Sequence, residues 1–216
     1  MRQKSDARLK YINQVFGNEP EVQKNIREAL KKDNKTGIHI SPYEAQILSF
    51  FVKLTGAKRI LEIGSLYGYS TFCLANAAGK NSVIYACEKS VENINKAKNL
   101  MKGTEELNRI KWYQGCALDN LKNLSNEEDF DLIFIDADKS NYENYQKWAI
   151  QNLKTKGLLI GDNSFLFGSV YQEPRDTAAH KHQQVMLNFN SNLSNLQLFN
   201  SMIIPTFEGL TVAQKI

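Results

Sequence analysis

The spacing of apolar residues divides the chain into a helical first part and an alternating second part. Apolar side chains recur three or four residues apart at Leu9, Ile12 and Val15, which predicts a helix over residues 6–15. A second helix is predicted to open at residues 19–21, where a proline stands between two glutamates. Proline fits the first helical turn, and acidic groups favour the positive end of the helix dipole.

The third predicted helix has the clearest boundary signals in the chain. Ser41 is the expected N-cap, Pro42 takes the first helical position, and Glu44 completes a capping box. Gly56 directly after Thr55 fits a left-handed helix stop. The first part of the chain is therefore predicted to form helices before any strand begins.

From Lys58 onward, short apolar runs alternate with helical patterns. The predicted strands cover residues 59–63, 82–87, 108–113, 131–135, 157–160, 196–203 and 210–215. The predicted helices cover residues 69–78, 91–102, 118–124, 142–153 and 176–190. This alternation indicates an α/β fold with helices on both faces of a mostly parallel seven-stranded sheet. The last two strands follow each other directly, so we expect an antiparallel C-terminal edge strand.

Composition places the chain among ordinary globular proteins. Its 216 residues, 42% of them hydrophobic, predict one domain over residues 1–216. The sequence contains no apolar leader and no run long enough to span a membrane, so we expect a cytoplasmic protein without a membrane partner. The cysteines lack paired spacing and are predicted to be reduced core thiols. They are Cys73, Cys87 and Cys116.

The charge balance is only mildly basic, at +4. Several basic side chains nevertheless cluster near the N-terminus. Their most direct interpretation is a solvated helix face, and the alternative is a patch for RNA or an acidic substrate. The cluster consists of Lys24, Arg27, Lys31, Lys32 and Lys35.

Two polar strand ends, 26 residues apart, carry the candidate chemistry. Asp136 follows the strand over 131–135, and Asp162 with Asn163 follows the strand over 157–160. One strand-helix-strand unit fits this spacing, so we expect the three side chains on one rim of the sheet. Three oxygen donors of this kind are typical of a magnesium site. The alternative, that the aspartates cap the following helices, does not account for Asn163.

The turn after the first strand predicts a ligand site. Gly64 and Gly68 form a G-x-x-x-G pattern that lacks the third glycine of the dinucleotide fingerprint. Glu62 would repel a pyrophosphate but suits a cationic amino acid or sulfonium group. Glu88, at the end of the second strand, is placed to accept ribose hydroxyls. Together they favour S-adenosylmethionine (SAM) over NAD, with chain packing at the glycines as the alternative.

These residues resemble the metal-dependent class I O-methyltransferases, the group of caffeoyl-CoA and catechol O-methyltransferases. The resemblance covers nearly the whole chain, from Ser5-Asp6-Ala7 to Glu208-Gly209-Leu210-Thr211. Its strongest stretches are Phe134-Ile135-Asp136-Ala137-Asp138-Lys139 with Asn141-Tyr142, and Asp162-Asn163 with Gly168-Ser169-Val170. It implies a Rossmann-like class I methyltransferase fold in a single SAM-dependent domain. It also implies a homodimer in which the helices of residues 1–55 form part of the acceptor site or the dimer contact.

The resemblance further implies roles for individual residues. Asp136, Asp162 and Asn163 would hold a divalent metal, Mg²⁺ or alternatively Mn²⁺ or Ca²⁺. Lys139 would act beside Asp136 as the general base that takes the proton of the acceptor hydroxyl. The residues implied around the methyl donor are Ile40, Glu62, Gly64, Ser65, Ser70, Glu88, Ala117, Asp136 and Asp138.

The sequence leaves two candidate methyl acceptors, each with an oxygen nucleophile. Leu166 and Phe167 stand where plant relatives usually carry Trp-Asn, which disfavours a CoA thioester. The leading hypothesis is a small aromatic acceptor with vicinal hydroxyls, as in catechol. The alternative is 5-hydroxyuridine in tRNA, which the basic N-terminal helix favours slightly. A catalytically silent SAM-binding protein is a third hypothesis, against which the complete set of metal and base residues argues.

Overall fold

The computed structural model describes residues 6–173 and 177–216. Two residues named in the predictions lie outside these ranges. They are Ser5, the first residue of the Ser5-Asp6-Ala7 stretch, and residue 176, the predicted first residue of the last helix. Three helices come first, as predicted: α1 (Ala7–Phe16), α2 (Glu21–Lys32) and α3 (Pro42–Thr55).

Local capping interactions fix the ends of the N-terminal helices. The Asp6 side chain accepts a hydrogen bond from the Arg8 N–H at the start of α1. At α3 the capping box is reciprocal, since Ser41 N–H donates to Glu44 Oε2 and Glu44 N–H donates to Ser41 Oγ. Gly56 ends α3 with φ 67°, a left-handed conformation that glycine adopts without steric cost. The predicted start and stop of this helix are confirmed.

Strands and helices alternate over the rest of the chain. The strands are β1 (Arg59–Ile63), β2 (Val83–Glu88), β3 (Ile110–Gln114), β4 (Phe130–Ile135), β5 (Leu153–Asp162), β6 (Phe199–Ile204) and β7 (Leu210–Lys215). The helices are α4 (Tyr69–Ala78), α5 (Val91–Leu100), α6 (Ala117–Leu124), α7 (Tyr142–Asn152) and α8 (Thr177–Leu193). Short 3₁₀ turns cover Leu107–Arg109, Lys139–Asn141 and Leu166–Tyr171.

The strands form one seven-stranded sheet in the order β3-β2-β1-β4-β5-β7-β6. The pairs among β1 to β5 are parallel, and β7 is antiparallel to both β5 and β6. The prediction of a mostly parallel sheet with antiparallel pairing at its C-terminal edge is confirmed. Strand β6 is the edge strand, and β7 lies between β5 and β6. The strand order reverses between β1 and β4, the place where sheets of this type form a ligand crevice.

Strand β5 begins earlier than the sequence predicts. The predicted helix over 142–153 ends at Asn152, and β5 starts at Leu153 rather than at residue 157. Leu153 pairs with Phe130, and the register then shifts before Leu132 pairs with Leu158. The exposed polar residues 154–156 conceal this part of the strand, because they lack the apolar pattern of the buried part.

The last helix and the strand after it also differ in their ends. Helix α8 continues to Leu193, three residues beyond its predicted end. Strand β6 starts at Phe199 instead of residue 196, and the apolar side chains of Leu196 and Leu198 are exposed. The predicted strand therefore begins too early, because the apolar residues Leu196 and Leu198 precede β6 in the sequence.

Apolar side chains from alternate positions of each strand fill two core layers, one on each face of the sheet. In β1, Ile60 packs into the layer with α3 and α4, and Leu61 packs into the layer with α7 and α8. This arrangement confirms that both faces of the sheet are covered. None of the helices in the described ranges is both long and apolar enough to cross a membrane.

We expect Gly161→Ala to lower the free energy of unfolding by about 1–3 kcal/mol, because overpacking a dense core forces neighbouring side chains to move. A Cβ at Gly161 would lie 2.5 Å from Cζ of Phe189, which α8 packs against β5. Urea unfolding measures the change. Adding Phe189→Leu should recover part of the loss, whereas a neutral or stabilising alanine would contradict this account of the packing.

Candidate functional site

A cavity of about 430 Å³ lies at the carboxyl ends of β1, β2 and β4. This volume is within the range of roughly 300–1,000 Å³ that is usual for small-molecule sites. Most of the residues implied around the donor line it: Gly64, Ser65, Ser70, Glu88, Ala117, Asp136 and Asp138. Ile40 and Glu62 do not line the cavity. Ile40 is buried in a core layer, and Glu62 is fully buried within β1.

The two glycines of the first turn are required by the packing of the protein itself. Gly64 has φ 97°, and a Cβ there would collide with the carbonyl oxygen of Asp136. Gly68 has φ 80°, and its Cβ would collide with the Met101 side chain. The close approach at Gly64 thus joins the end of β1 to the end of β4, and this contact places Asp136 at the cavity.

Glu62 is a buried carboxyl group beside this turn. Thr71 donates a hydrogen bond to its Oε2, and Oε1 accepts none from the described residues. Burial raises the pKa of Glu62 to about 8, and the charges of Asp136 and Glu88 act in the same direction. The hydroxyls of Ser70 and Thr71 oppose this rise in the pKa. A cationic ligand group would favour the ionised carboxylate.

Ser65 provides a second polar atom that fits a bound ligand. Its side chain is buried at the lining of the cavity, and Oγ has no hydrogen-bond partner within the described residues. Buried hydroxyls are normally hydrogen-bonded. The turn after β1 therefore suits a ligand that carries both donors and acceptors.

Glu88 connects the turn after β1 to the start of α5. Its Oε2 accepts from the Leu66 N–H at 2.8 Å, and its Oε1 accepts from Ser90 N–H and Asn93 Nδ2 at 2.8 and 2.9 Å. Each carboxylate oxygen has two lone pairs, so Oε2 retains capacity for one further donor. The side chain is thus held in place while it lines the cavity.

The cavity also has walls that the sequence analysis did not select. The His39 ring lies 4.9 Å from the Tyr69 ring, and Tyr145 donates a 2.6 Å hydrogen bond to Asp138 Oδ1. Cys116 is exposed at the N-cap of α6, so its prediction as a core thiol was wrong. It stands in the turn after β3 rather than inside the strand. Its position just after a predicted strand was the sequence signal that could have placed Cys116 at the cavity.

The predicted metal residues meet at one rim of the sheet. Ile135 of β4 pairs with Gly161 of β5, so Asp136 and Asp162 follow neighbouring ladder positions. Asp162 is fully buried. Asn163 is also buried and has φ 59°, a left-handed conformation that asparagine tolerates.

Lys139 lies at the same rim. Its Nζ donates to the Tyr142 hydroxyl at 2.6 Å and lies 3.9 Å from Asp136 Oδ1. The ammonium group also lies 4.2 Å from the centre of the Tyr142 ring, a cation–π distance. The side chain of Lys139 is largely buried.

The donor set at this rim fits a hard divalent cation. In the described parts of the chain, no three side chains of His, Cys, Asp or Glu are grouped to hold a metal. A cation here would therefore need the amide oxygen of Asn163 beside the carboxylates of Asp136 and Asp162. Two carboxylates and an amide oxygen match the ligand preference of Mg²⁺. Asn163 Nδ2 has no hydrogen-bond partner among the described residues, so the amide is not fixed by a partner at its nitrogen.

A second cavity, of about 860 Å³, lies between the N-terminal helices and the turn that joins β6 to β7. Its lining includes the exposed basic side chains Lys10, Arg27 and Lys31. His39 lines both cavities, so the two spaces are neighbours. The helices of residues 1–55 thus form a wall of this second space.

Comparison with known proteins gives a consistent result. A family model described as O-methyltransferase matches residues 13–216. A caffeoyl-CoA O-methyltransferase of Medicago sativa is 32% identical over 222 residues, covering 98% of this chain and 90% of the relative. The O-methyltransferase of Bacillus cereus, solved in complex with SAH, has a TM-score of 0.87, 27% identity and full coverage of both chains. The O-methyltransferase TomG of Streptomyces achromogenes, solved with SAM, has the same TM-score at 24% identity, with 97% of this chain and 96% of that chain covered.

We expect the stability of the ligand-free protein to fall as pH rises from about 5 to about 8, because of Glu62. The pKa of Glu62 is near 8 in the folded state and near 4.5 ordinarily, so only the folded state keeps the proton in this window. Thermal unfolding at pH 5, 6.5 and 8 measures the trend, which Glu62→Gln should flatten. The control Glu105→Gln changes an exposed carboxylate and should retain the wild-type trend. An unchanged trend in Glu62→Gln would contradict the prediction.

Proposed function

Because the chain belongs to the O-methyltransferase family, whose members transfer a methyl group from SAM, we propose that it methylates a hydroxyl of a catechol-like small aromatic acceptor at a divalent-cation site. The position of Asp136 carries this proposal. Asp136 lines the donor cavity and also lies 3.9 Å from Lys139 Nζ. A proton acceptor and a candidate cation ligand are thereby adjacent to the methyl-donor site.

In this proposal the cavity at the ends of β1, β2 and β4 holds the methyl donor. SAM supplies a methyl group on a positively charged sulfur. Glu62 would balance the positive charge of the donor, and Ser65 and Ser70 would bind its polar groups. Glu88 would accept a ribose hydroxyl through the free capacity of Oε2, with Gly64, Ala117 and Asp138 lining the remaining space. Ile40, which follows His39 in the chain, would contribute apolar packing from the core layer.

Asp136, Asp162 and Asn163 would hold Mg²⁺, or alternatively Mn²⁺ or Ca²⁺. A cation bound there stabilises the negative charge of an ionised acceptor oxygen. Lys139 in its neutral amine form would take the hydroxyl proton on Nζ, and Asp136 would hold the resulting ammonium group near the site. The side chains of Lys139 and Asp136 are both largely buried, so little water reaches this part of the site. A site with little water favours a reaction in which a negative oxyanion and a positive sulfonium give neutral products.

The second candidate acceptor is 5-hydroxyuridine in tRNA. The exposed basic side chains of Lys10 and Lys31 at the second cavity support it, because phosphate groups bind such side chains, whereas Arg27 at the same cavity is paired with Glu19. 5-Hydroxyuridine carries two neighbouring oxygens, as a catechol does, so the same residues would suit either acceptor. A silent SAM-binding role is disfavoured by the position of Lys139 beside Asp136.

We also propose that the protein is a cytoplasmic homodimer. Large apolar side chains on α1, α3 and β6 are exposed, and a second copy would cover such a surface. They include Tyr11, Phe16, Phe50, Leu54 and Met202.

Incubation with labelled SAM and Mg²⁺ tests the proposal directly. We expect label to appear in members of a catechol panel and to disappear in excess chelator. Label in tRNA prepared from a strain lacking this gene would instead support the second candidate. Binding of SAM without label in either acceptor would contradict both and favour the silent role.

Asp162→Asn should abolish turnover and weaken Mn²⁺ binding while SAM affinity stays within about twofold of wild type, because the variant removes one charge at the rim and keeps its shape. Calorimetry with SAM and electron paramagnetic resonance with Mn²⁺ provide the measurements. Asp119→Asn, at an exposed aspartate of α6, is the matched control. Full activity of Asp162→Asn in the presence of chelator would end the cation mechanism.

A further inference from the structure

We propose that Tyr142 is a positioning residue whose hydroxyl fixes Lys139 and the two acidic strand ends in one geometry. The hydroxyl accepts a hydrogen bond from Lys139 Nζ at 2.6 Å. It also lies 3.0 Å from the carbonyl oxygens of Ile135 and Asp162. One hydroxyl group therefore connects three elements of the site. The consequence for catalysis rests on the function proposed above, in which Lys139 takes the acceptor proton.

The two carbonyl contacts occur where the pairing of β4 with β5 ends. The last paired positions are Ile135 and Gly161, and the chain then continues to Asp136 and Asp162. Ile135 is the last paired residue of β4, and Asp162 is the last residue of β5 that pairs with β7, opposite Leu210. The Tyr142 hydroxyl lies at both carbonyls, so it joins the backbones that carry the two carboxylates.

The contact with Lys139 follows from the local chain geometry. The 3₁₀ turn Lys139–Asn141 precedes α7, and side chains three residues apart lie above one another in such a turn. This places the Lys139 ammonium 4.2 Å from the centre of the Tyr142 ring as well as at its hydroxyl. A long, flexible side chain is thereby held in one position beside Asp136.

The ring that carries this hydroxyl is itself fixed. Tyr142 is fully buried, and its ring packs at 5.2 Å from the Phe189 ring and 6.5 Å from the Tyr145 ring. A hydroxyl has one proton to donate and lone pairs to accept. If it accepts from Lys139, it donates to one of the two carbonyls at a time.

A double-mutant cycle with catechol, Mg²⁺ and labelled SAM tests the proposal. The phenyl ring of Tyr142→Phe keeps the packing and removes only the hydroxyl. We expect this variant to lower kcat by about tenfold or more with KM for SAM within about twofold. In a Lys139→Met background the same change should lower kcat by a clearly smaller factor, because the part of the loss that acts through Lys139 is already absent and only the effect on the two strand ends remains. Equal losses in both backgrounds would overturn the proposal.

A second measurement does not depend on turnover. Amide hydrogen exchange at residues 136–139 and 161–164 should become faster in Tyr142→Phe, because both strand ends lose their shared donor. In Lys139→Met, exchange at residues 161–164 should stay at the wild-type rate, since the carbonyl contacts are retained. Wild-type exchange rates in Tyr142→Phe would overturn the proposal. If no catechol is methylated by wild type, the proposed acceptor fails, and hydrogen exchange alone decides the role of Tyr142.

Tyr85→Phe is the matched control for both measurements. Tyr85 is a buried tyrosine whose hydroxyl accepts from Arg59 Nη1 at 2.8 Å, and it does not line the donor cavity. Its variant should keep the kcat and the exchange rates of residues 136–139 and 161–164. A tenfold loss of kcat in this control would show that any buried hydroxyl has the same effect, which would overturn a specific role for Tyr142.

Discussion

The position of β4 between β1 and β5 is the constraint on which the site depends. Parallel pairing on both sides aligns Ile63, Ile135 and Gly161 across three neighbouring strands. The residues that follow these positions then meet at one edge of the sheet. Donor site, carboxylate rim and Lys139 are adjacent because of this register, and a slip of one residue would turn the side chains to the opposite face.

This arrangement requires the protein to bury ionisable and polar groups, which is unfavourable unless they find partners. Glu44 and Glu208 are buried near the second cavity and are satisfied by backbone N–H and hydroxyl donors. Glu62 is different, because its raised pKa favours the neutral acid in the ligand-free protein. A cationic ligand bound beside it would favour the ionised carboxylate.

Much of the fold and part of the site follow from sequence patterns that act locally. The capping box at Ser41 and the apolar runs before Asp136 and Asp162 are local signals, and the structure retains them. The early start of β5 was not predictable, since its pairing with Phe130 depends on a distant residue. Tyr142 belongs to one of the stretches that carry the resemblance, but only the folded chain shows that its hydroxyl reaches the ends of two strands.

Strand β7 lies between β5 and β6, although it follows both in the chain. During synthesis on the ribosome, β5 therefore emerges with one side unpaired and waits for a segment made about fifty residues later. Until β7 arrives, this side of β5 presents unpaired backbone N–H and C=O groups with which another chain could pair. Conditions that slow completion of the polypeptide should consequently affect the yield of native protein more than its final stability.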